Sequence, residues 1–263
     1  MISFYVRGIG IQAPGMQGWP ACRRALSGRV PYSCQTMVLP APEILPANER
    51  RRATASVRLA LSAAQEAAAA SGLDVSTFAT VFTSSDGDGV ILDEICDTLG
   101  RAPLDLSPTR FHNSVHNAPA GYWSIATGGR HASTSLCAFN ASFAAGLIEA
   151  AVQMAADHAP VLLVASDLPF PPLLNPLRPV TVPVGVALAL STAPGSAPMA
   201  RCTLALEACP ASAFSGQGGL DAVYANPAGR ALPLLALLAQ GTSGTVRLEY
   251  FEPWSVAVQV QSS

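Results

Sequence analysis

The stretch His131–Asp167, HASTSLCAFNASFAAGLIEAAVQMAADHAPVLLVASD, decides how the chain reads. It runs as a tight polar turn, a helix of alanine and glycine steps, a short break and a buried strand at Val161–Val164. Cys137 sits where the turn enters the helix. At a helix N-terminus, free backbone N–H groups and the helix dipole favour a thiolate. The same N–H groups can line an oxyanion hole. A free cysteine is also at home as a small buried hydrophobe, so the local sequence leaves both readings open.

Before this stretch, Ile2–Val6 is a β-branched and aromatic run ending in Gly8-Ile9-Gly10, which predicts a strand followed by a turn. Trp19–Leu26 predicts a helix closed by Ser27-Gly28, and residues 30–46 are proline-rich and irregular. One long helix is expected from about Ala47, with Asn48 as its N-cap. Val57, Leu61 and Ala64 or Ala68 fall at helical spacing, and Gly72 is the stop. Phe78–Thr83 predicts a strand leading into the turn Ser84-Ser85-Asp86-Gly87-Asp88-Gly89, and Val90–Leu99 the next helix. Ser107–Gly129 reads as a loop with a helical turn near Pro119–Ala126.

After Asp167, residues 168–183 carry too many prolines for a central strand. Strands are expected at Val184–Leu190 and Cys202–Ala208, a loop over 209–230, and a short helix at Leu232–Ala239 ended by Gly241. Two strands, Thr245–Phe251 and Ser255–Gln261, close the chain. The alternation of strands and helices predicts an α/β layered domain.

Half of the 263 residues are hydrophobic and 12% are charged, which suits a sheet covered by helices with apolar surface left over for a partner. A formal net charge of -2 gives no handle for nucleic acid. Lysine is absent, which excludes Schiff-base chemistry and a P-loop. The six cysteines show no CxxC spacing and read as reduced thiols, mostly core fillers. No apolar run is long and unbroken enough to span a membrane, and the N-terminus carries no charged apolar leader. A cytoplasmic protein is expected.

Three weaker motifs have plain structural readings. Gly8-Ile9-Gly10-Ile11-Gln12-Ala13 fits a loose dinucleotide fingerprint, but no acidic residue stands about 20 positions on to hold a ribose. Asp86 and Asp88 lie among glycines without the bidentate glutamate of a calcium loop, so turn chemistry is the better account. His112 and His116 have i, i+4 spacing but lack the glutamate of a zinc helix. No metal and no cofactor are expected.

The order of these blocks resembles the β-ketoacyl synthase branch of the thiolase-like fold. VRGIGIQAPG and WPACRRALSGR are similar to that family's opening strand, turn and helix. ERRRATASVRLALSAAQEAAAASGL followed by TVFTSSDGDG resembles its second helix, strand and glycine turn. SPTRFHNSVHNAPAGYWSIATG resembles the segment before the active-site turn, and SLCAFNASFAAGLIEAAVQMA with VLLVASD resembles the nucleophile elbow, its helix and the strand behind it. The resemblance runs from Val6 to about Leu190. It implies a thiolase-like layered fold with the N-terminal half complete (1–208) and the C-terminal half reduced to a segment (209–263) packing on the same domain.

Two departures from the family carry the functional expectation. Placing Ser142 on the serine of the family's TACxSG turn puts Asn140 at the nucleophile position and Cys137 three residues early. The family's two C-terminal histidines, which serve decarboxylation and enolate stabilisation, have no counterpart, because no histidine follows His158. The resemblance therefore implies a non-catalytic chain-length-factor-like subunit, similar to the truncated type of aryl polyene pathways. Its partners would be a full-length β-ketoacyl synthase, in a heterodimer, and an acyl carrier protein. Family dimers imply that Phe111–Trp123 and Phe139–Phe143 face the partner, with Phe139, Phe143, Tyr122 and Trp123 as tunnel wall or interface; ordinary core is the other account of these aromatics. Two alternatives stand. One is an acyltransferase or thioesterase using Cys137 with His112, His116 or His131 as base. The other is a stand-alone acyl carrier protein-binding module that uses Arg50, Arg51 and Arg52.

Overall fold

Strand β1 (Ile2–Ala13) does not stop at Gly8-Ile9-Gly10 but runs straight through it. The expected turn is absent for a packing reason. A Cβ on Gly8 would lie 2.1 Å from the carbonyl oxygen of Ala67, and one on Gly10 would lie 2.0 Å from that of Ala63. The two glycines let a helix backbone settle directly on the middle of the strand. The structure, a computed structural model, describes residues 1–101, 105–195, 198–214 and 219–262.

After β1 come β2 (Met16–Gln17) and α1 (Trp19–Leu26), which starts with proline in its first turn. The long helix expected from Ala47 is two helices, α2 (Ala47–Arg52) and α3 (Ala55–Ser71). Ala53 is extended, and Thr54 caps the second helix by accepting the Val57 N–H, so the chain restarts there instead of continuing from Asn48. Gly72 ends α3 in the left-handed conformation, as expected.

β3 (Ala79–Thr83) and α4 (Gly89–Leu99) follow, and Asp88 caps α4 through the Ile91 N–H. Ser107–Gly129, expected as a loop with a helical turn near Pro119–Ala126, holds two helices, α5 (Pro108–Asn113) and, at that helical turn, α6 (Ala118–Thr127). Ser107 caps α5, and proline stands in the first turn of each, where its missing N–H costs nothing.

Part of the opening polar turn is a strand, β4 (Ser133–Leu136). Then come α7 (Ser142–Asp157), β5 (Val161–Asp167), β6 (Val184–Ser191) and β7 (Ala200–Glu207). The span 209–230, of which 215–218 lie outside the described residues, contains helix α8 (Leu220–Ala225) and a 3-10 turn at Ala228–Ala231. Helix α9 (Leu232–Gln240) and the hairpin of β8 (Gly244–Glu249) and β9 (Ser255–Ser262) end the chain.

The strands form one mixed sheet in the order β4-β3-β5-β6-β1-β7-β9-β8, with β2 beside β1. β3 is parallel to both β4 and β5, and the other pairings are antiparallel. β5 alternates between faces, as buried strands must. Val161, Leu163 and Ala165 join the core under α7, α1 and α9, while Leu162 and Val164 join that under α3 and α6. On the α3 side, the middle of the sheet carries small residues, Gly8, Gly10, Gly185, Ala187 and Ala189, matching the alanine face of α3. The thin layer between α3 and the sheet leaves no room for a larger side chain.

Gly10→Ala must therefore push α3 off the sheet. The expected cost is about 3 kcal/mol of unfolding free energy. Urea denaturation with an unchanged m-value would show it, whereas a loss below about 0.5 kcal/mol would mean that α3 can shift freely.

Candidate functional site

β3, β4 and β5 are mutually parallel neighbours, so their C-terminal ends open on one corner of the sheet. That corner collects the turn after β3, the turn between β4 and α7, and the long connection after β5. Each contributes polar groups.

Cys137 directly follows β4, and α7 begins five residues later, at Ser142. Cys137 therefore stands outside the helix N-terminus that would favour its thiolate. Although the residue reaches solvent, its thiol pKa is pushed up, by burial first and then by the carboxylates of Asp167 and Asp86. Among the described residues, no hydrogen bond or ring contact joins it to His112, His116 or His131. His112 lies in α5 with its ring edge-on to Tyr122, and His116 lies beyond the end of that helix, so the two do not share a helix face. The cysteines as a group also differ from expectation: Cys22 and Cys202 are buried, but Cys34, Cys96, Cys137 and Cys209 are exposed.

The turn itself is Ala138–Ala141. Asn140 was placed at the nucleophile position from the sequence; the residue in the left-handed region is its neighbour Phe139, at φ 52. For a bulky L-residue this conformation costs about 1–2 kcal/mol. Ser142 offsets part of the cost. Its Oγ lies 2.7 Å from the Phe139 carbonyl and 3.1 Å from the Ser84 carbonyl, sharing its proton between them, and accepts the Ala138 N–H at 3.1 Å. One hydroxyl thus ties the turn to itself and to the end of β3.

The rest of the offset comes from Arg178. Its guanidinium carbon stands 3.7 Å above the Phe139 ring and 5.2 Å from that of Phe170, and a guanidinium N–H donates to Asn140 Oδ1 at 2.9 Å. A partly desolvated cation–π contact contributes about 0.5–2 kcal/mol, enough with the Ser142 bonds to hold the strained turn.

Arg178 belongs to the proline-rich connection, residues 168–183, which folds back over the turn as a strap. Bonds of Asn175 N to Pro171 O and of Arg178 N to Leu174 O coil the strap, and Phe170 N to Val180 O closes its base. Asn226, fully buried, donates through Nδ2 to the carbonyls of Asp167 and Val182, one at each end. A side chain from the C-terminal segment thus fixes the strap that covers the turn.

Beneath lies Asp167, at the end of β5 and 2% exposed. Its Oδ1 accepts from Ser85 N at 2.6 Å, Ser85 Oγ at 2.8 Å and Ser84 Oγ at 3.0 Å. Burial nonetheless outweighs these bonds and the nearby Arg178, and its pKa is raised. Asp86, an exposed residue whose carboxyl is hydrogen-bonded by Ser85 Oγ, is also pushed up, to about 6, mainly by partial desolvation of that carboxyl.

Of the four aromatics named from the sequence, Phe139 alone reaches the surface, at 57% exposure. Phe143, Tyr122 and Trp123 are buried, at 0%, 2% and 2%. Phe143 points from α7 into the core shared with α1 and α9, and Tyr122 and Trp123 point from α6 into the core shared with α3. The arginine run is engaged locally: Arg50 donates to the Glu43 and Leu45 carbonyls, Arg51 to Asn48 Oδ1, and Arg52 pairs with Glu49. Sequence reasoning missed Arg178 and Asn226. For Arg178 a signal existed, since it is the single charged residue between Leu168 and Pro183. Asn226 gave none.

Among the described residues, no group of three or more histidine, cysteine or acidic side chains is placed to hold a metal, and no helix is long and apolar enough to cross a membrane.

Against known families, residues 25–251 match the β-ketoacyl synthase N-terminal domain. The chain belongs to this family. The match starts after the Val6–Gly15 block and continues past Leu190 into the C-terminal segment. No curated protein matches the chain.

Among solved structures, it is similar to a ketosynthase (ApeO) in complex with its chain length factor (ApeC) from Xenorhabdus doucetiae. That match has a TM-score of 0.74 and 21% identity, over 98% of this chain and 100% of the other. The ishigamide ketosynthase/chain length factor gives 0.73 at 13% identity, over 100% and 99%. A type II polyketide acyl-carrier protein in complex with its ketosynthase bound to the hexaketide (AntDE:AntF) gives 0.77 at 12% identity, over 100% and 99%. At these identities the likeness is one of fold, and the layered thiolase-like α/β architecture is shared.

The Asp86 shift has a defined sign. Its carboxyl is easier to protonate folded than unfolded, so the stability this provides is present below pH 3.8 and lost as pH rises through about 6. In unfolding titrations, the stability of the wild type relative to Asp86→Asn should fall over that window and level off above it. A flat difference would show that Asp86 titrates as an ordinary surface acid.

Proposed function

We propose that the chain is a non-catalytic, chain-length-factor-like subunit. It pairs with a full-length β-ketoacyl synthase and shapes the tunnel that holds an acyl or polyene chain delivered by an acyl carrier protein. The observation that carries this reading is the elbow. A Claisen condensation needs a nucleophile to hold the acyl group and donors to stabilise an enolate. The turn offers a phenylalanine and an asparagine whose carboxamide oxygen is bonded to Arg178. The nearby thiol has a raised pKa and no histidine bonded to it among the described residues.

Surface features support a partner at the same corner. β4 is one of the two end strands of the sheet, and among the described residues no strand pairs on its outer side. Exposed Ile125 lies on α6, which packs against β4, and exposed Phe139 lies in the turn that follows β4. Open edges and exposed aromatics are features that natural proteins cover. The solved complexes of ketosynthase with chain length factor, and of carrier protein with ketosynthase, are the assemblies this reading transfers to the chain. The reading keeps residues 1–208 as the main α/β domain, with 209–263 packed on it, and places the protein in the cytoplasm.

Co-expression with a full-length β-ketoacyl synthase of the same biosynthetic gene set should yield a 1:1 complex by size-exclusion chromatography with light scattering. A chain that elutes alone in the presence of that synthase sinks the proposal. Within the complex, Cys137→Ala should leave product formation unchanged; loss of turnover would instead make Cys137 an acyl-transferring nucleophile.

A further inference from the structure

Arg178 is the one charged residue of the strap, yet it is turned inward onto the turn rather than outward to water. It touches both elbow residues by different means, stacking on Phe139 and hydrogen-bonding Asn140. The strap that carries it is pinned at both ends by Asn226 and closed by the Phe170–Val180 bond. The position of the guanidinium is thus set by the fold rather than by side-chain chance. Phe139, in turn, has a strained backbone and a ring that is 57% exposed. A conformation of this kind persists only where its surroundings over-determine it. Left to itself, a phenylalanine here would relax to negative φ and swing its ring elsewhere.

We infer that Arg178 is a positioning residue: by clamping Phe139 and Asn140 it fixes how far the elbow aromatic projects, and so sets the length of acyl chain that the assembled complex accommodates. The inference rests on the chain-length-factor reading and deepens it. A rigid aromatic held in one rotamer gives a tunnel one definite depth, whereas a mobile one gives several. Lysine is not equivalent, because the contact needs a planar cation that stacks and donates at once.

The test uses the co-purified complex of this chain with its synthase, with carrier-bound products resolved by mass spectrometry. Arg178→Met keeps the apolar stem but loses the stack and the bond; Arg178→Gln is the second variant should the first fail to fold. The complex should still form, but the dominant chain length should fall to half or less of its wild-type share, with neighbouring lengths rising. Phe139→Ala should shift the distribution similarly, and the double variant should shift it no further, because both changes remove one device. Amide exchange over residues 137–142 should rise in the Arg178 variant while the rest of the sheet is unchanged. A wild-type product distribution from a folded Arg178 variant, or independent addition of the two single effects, overturns the inference. Failure of the wild-type chain to bind the synthase at all is a different result and overturns the parent reading instead.

Discussion

A phenylalanine held in the left-handed backbone region is the constraint around which this corner of the molecule is arranged. Phe139 alone would cost about 1–2 kcal/mol, and each surrounding group supplies part of the offset. Ser142 binds the turn to itself and to the end of β3. Arg178 presses on the ring from the strap. Asn226 reaches from the C-terminal segment to hold the strap by both ends. Elements distant in sequence thereby meet at one turn. The segment after residue 208 acts here as a support for the elbow.

In the proposed reading, the arrangement keeps the form of an active site without its reagents. A buried carboxylate, Asp167, organises the serine turn behind the elbow, and the parallel strands β3, β4 and β5 deliver three loops to one place. Where acyl-transfer chemistry would need an ionised nucleophile, the turn presents an aromatic ring and an arginine-bound amide. Burial, and after it the nearby carboxylates, oppose ionisation of Cys137 rather than promote it. Electrostatics and backbone geometry both fit the proposed role, which is one of shape rather than reaction.

Much of the fold was legible because burial imposes periodicity. Val161–Val164, Val184–Leu190 and the closing hairpin all read as strands from their alternation or apolar runs. The glycines of β1 misled, since Gly8-Ile9-Gly10 has the composition of a turn. Only the backbone of α3, 53 or more residues on, explains why a strand needs them. Helix α5 was masked by the proline at its first turn, which starts the helix instead of breaking it, while α6 fills out the helical turn expected near Pro119–Ala126. The turn entering α7 lies where the sequence placed a turn, at Ala138–Ala141, and its strained residue is Phe139, beside Asn140. Its clamp was invisible for the same reason as the glycines' role: Arg178 and Asn226 act through contacts 38 to 59 residues apart.

The central claim is that this chain never carries the acyl group. Intact-protein mass spectrometry of the complex, after incubation with an isotopically labelled acyl carrier protein and rapid quenching, tests it directly. The account predicts that the acyl mass appears on the synthase alone and that this chain keeps its unmodified mass. A labelled adduct on this chain, mapping to Cys137 by peptide sequencing, would contradict it.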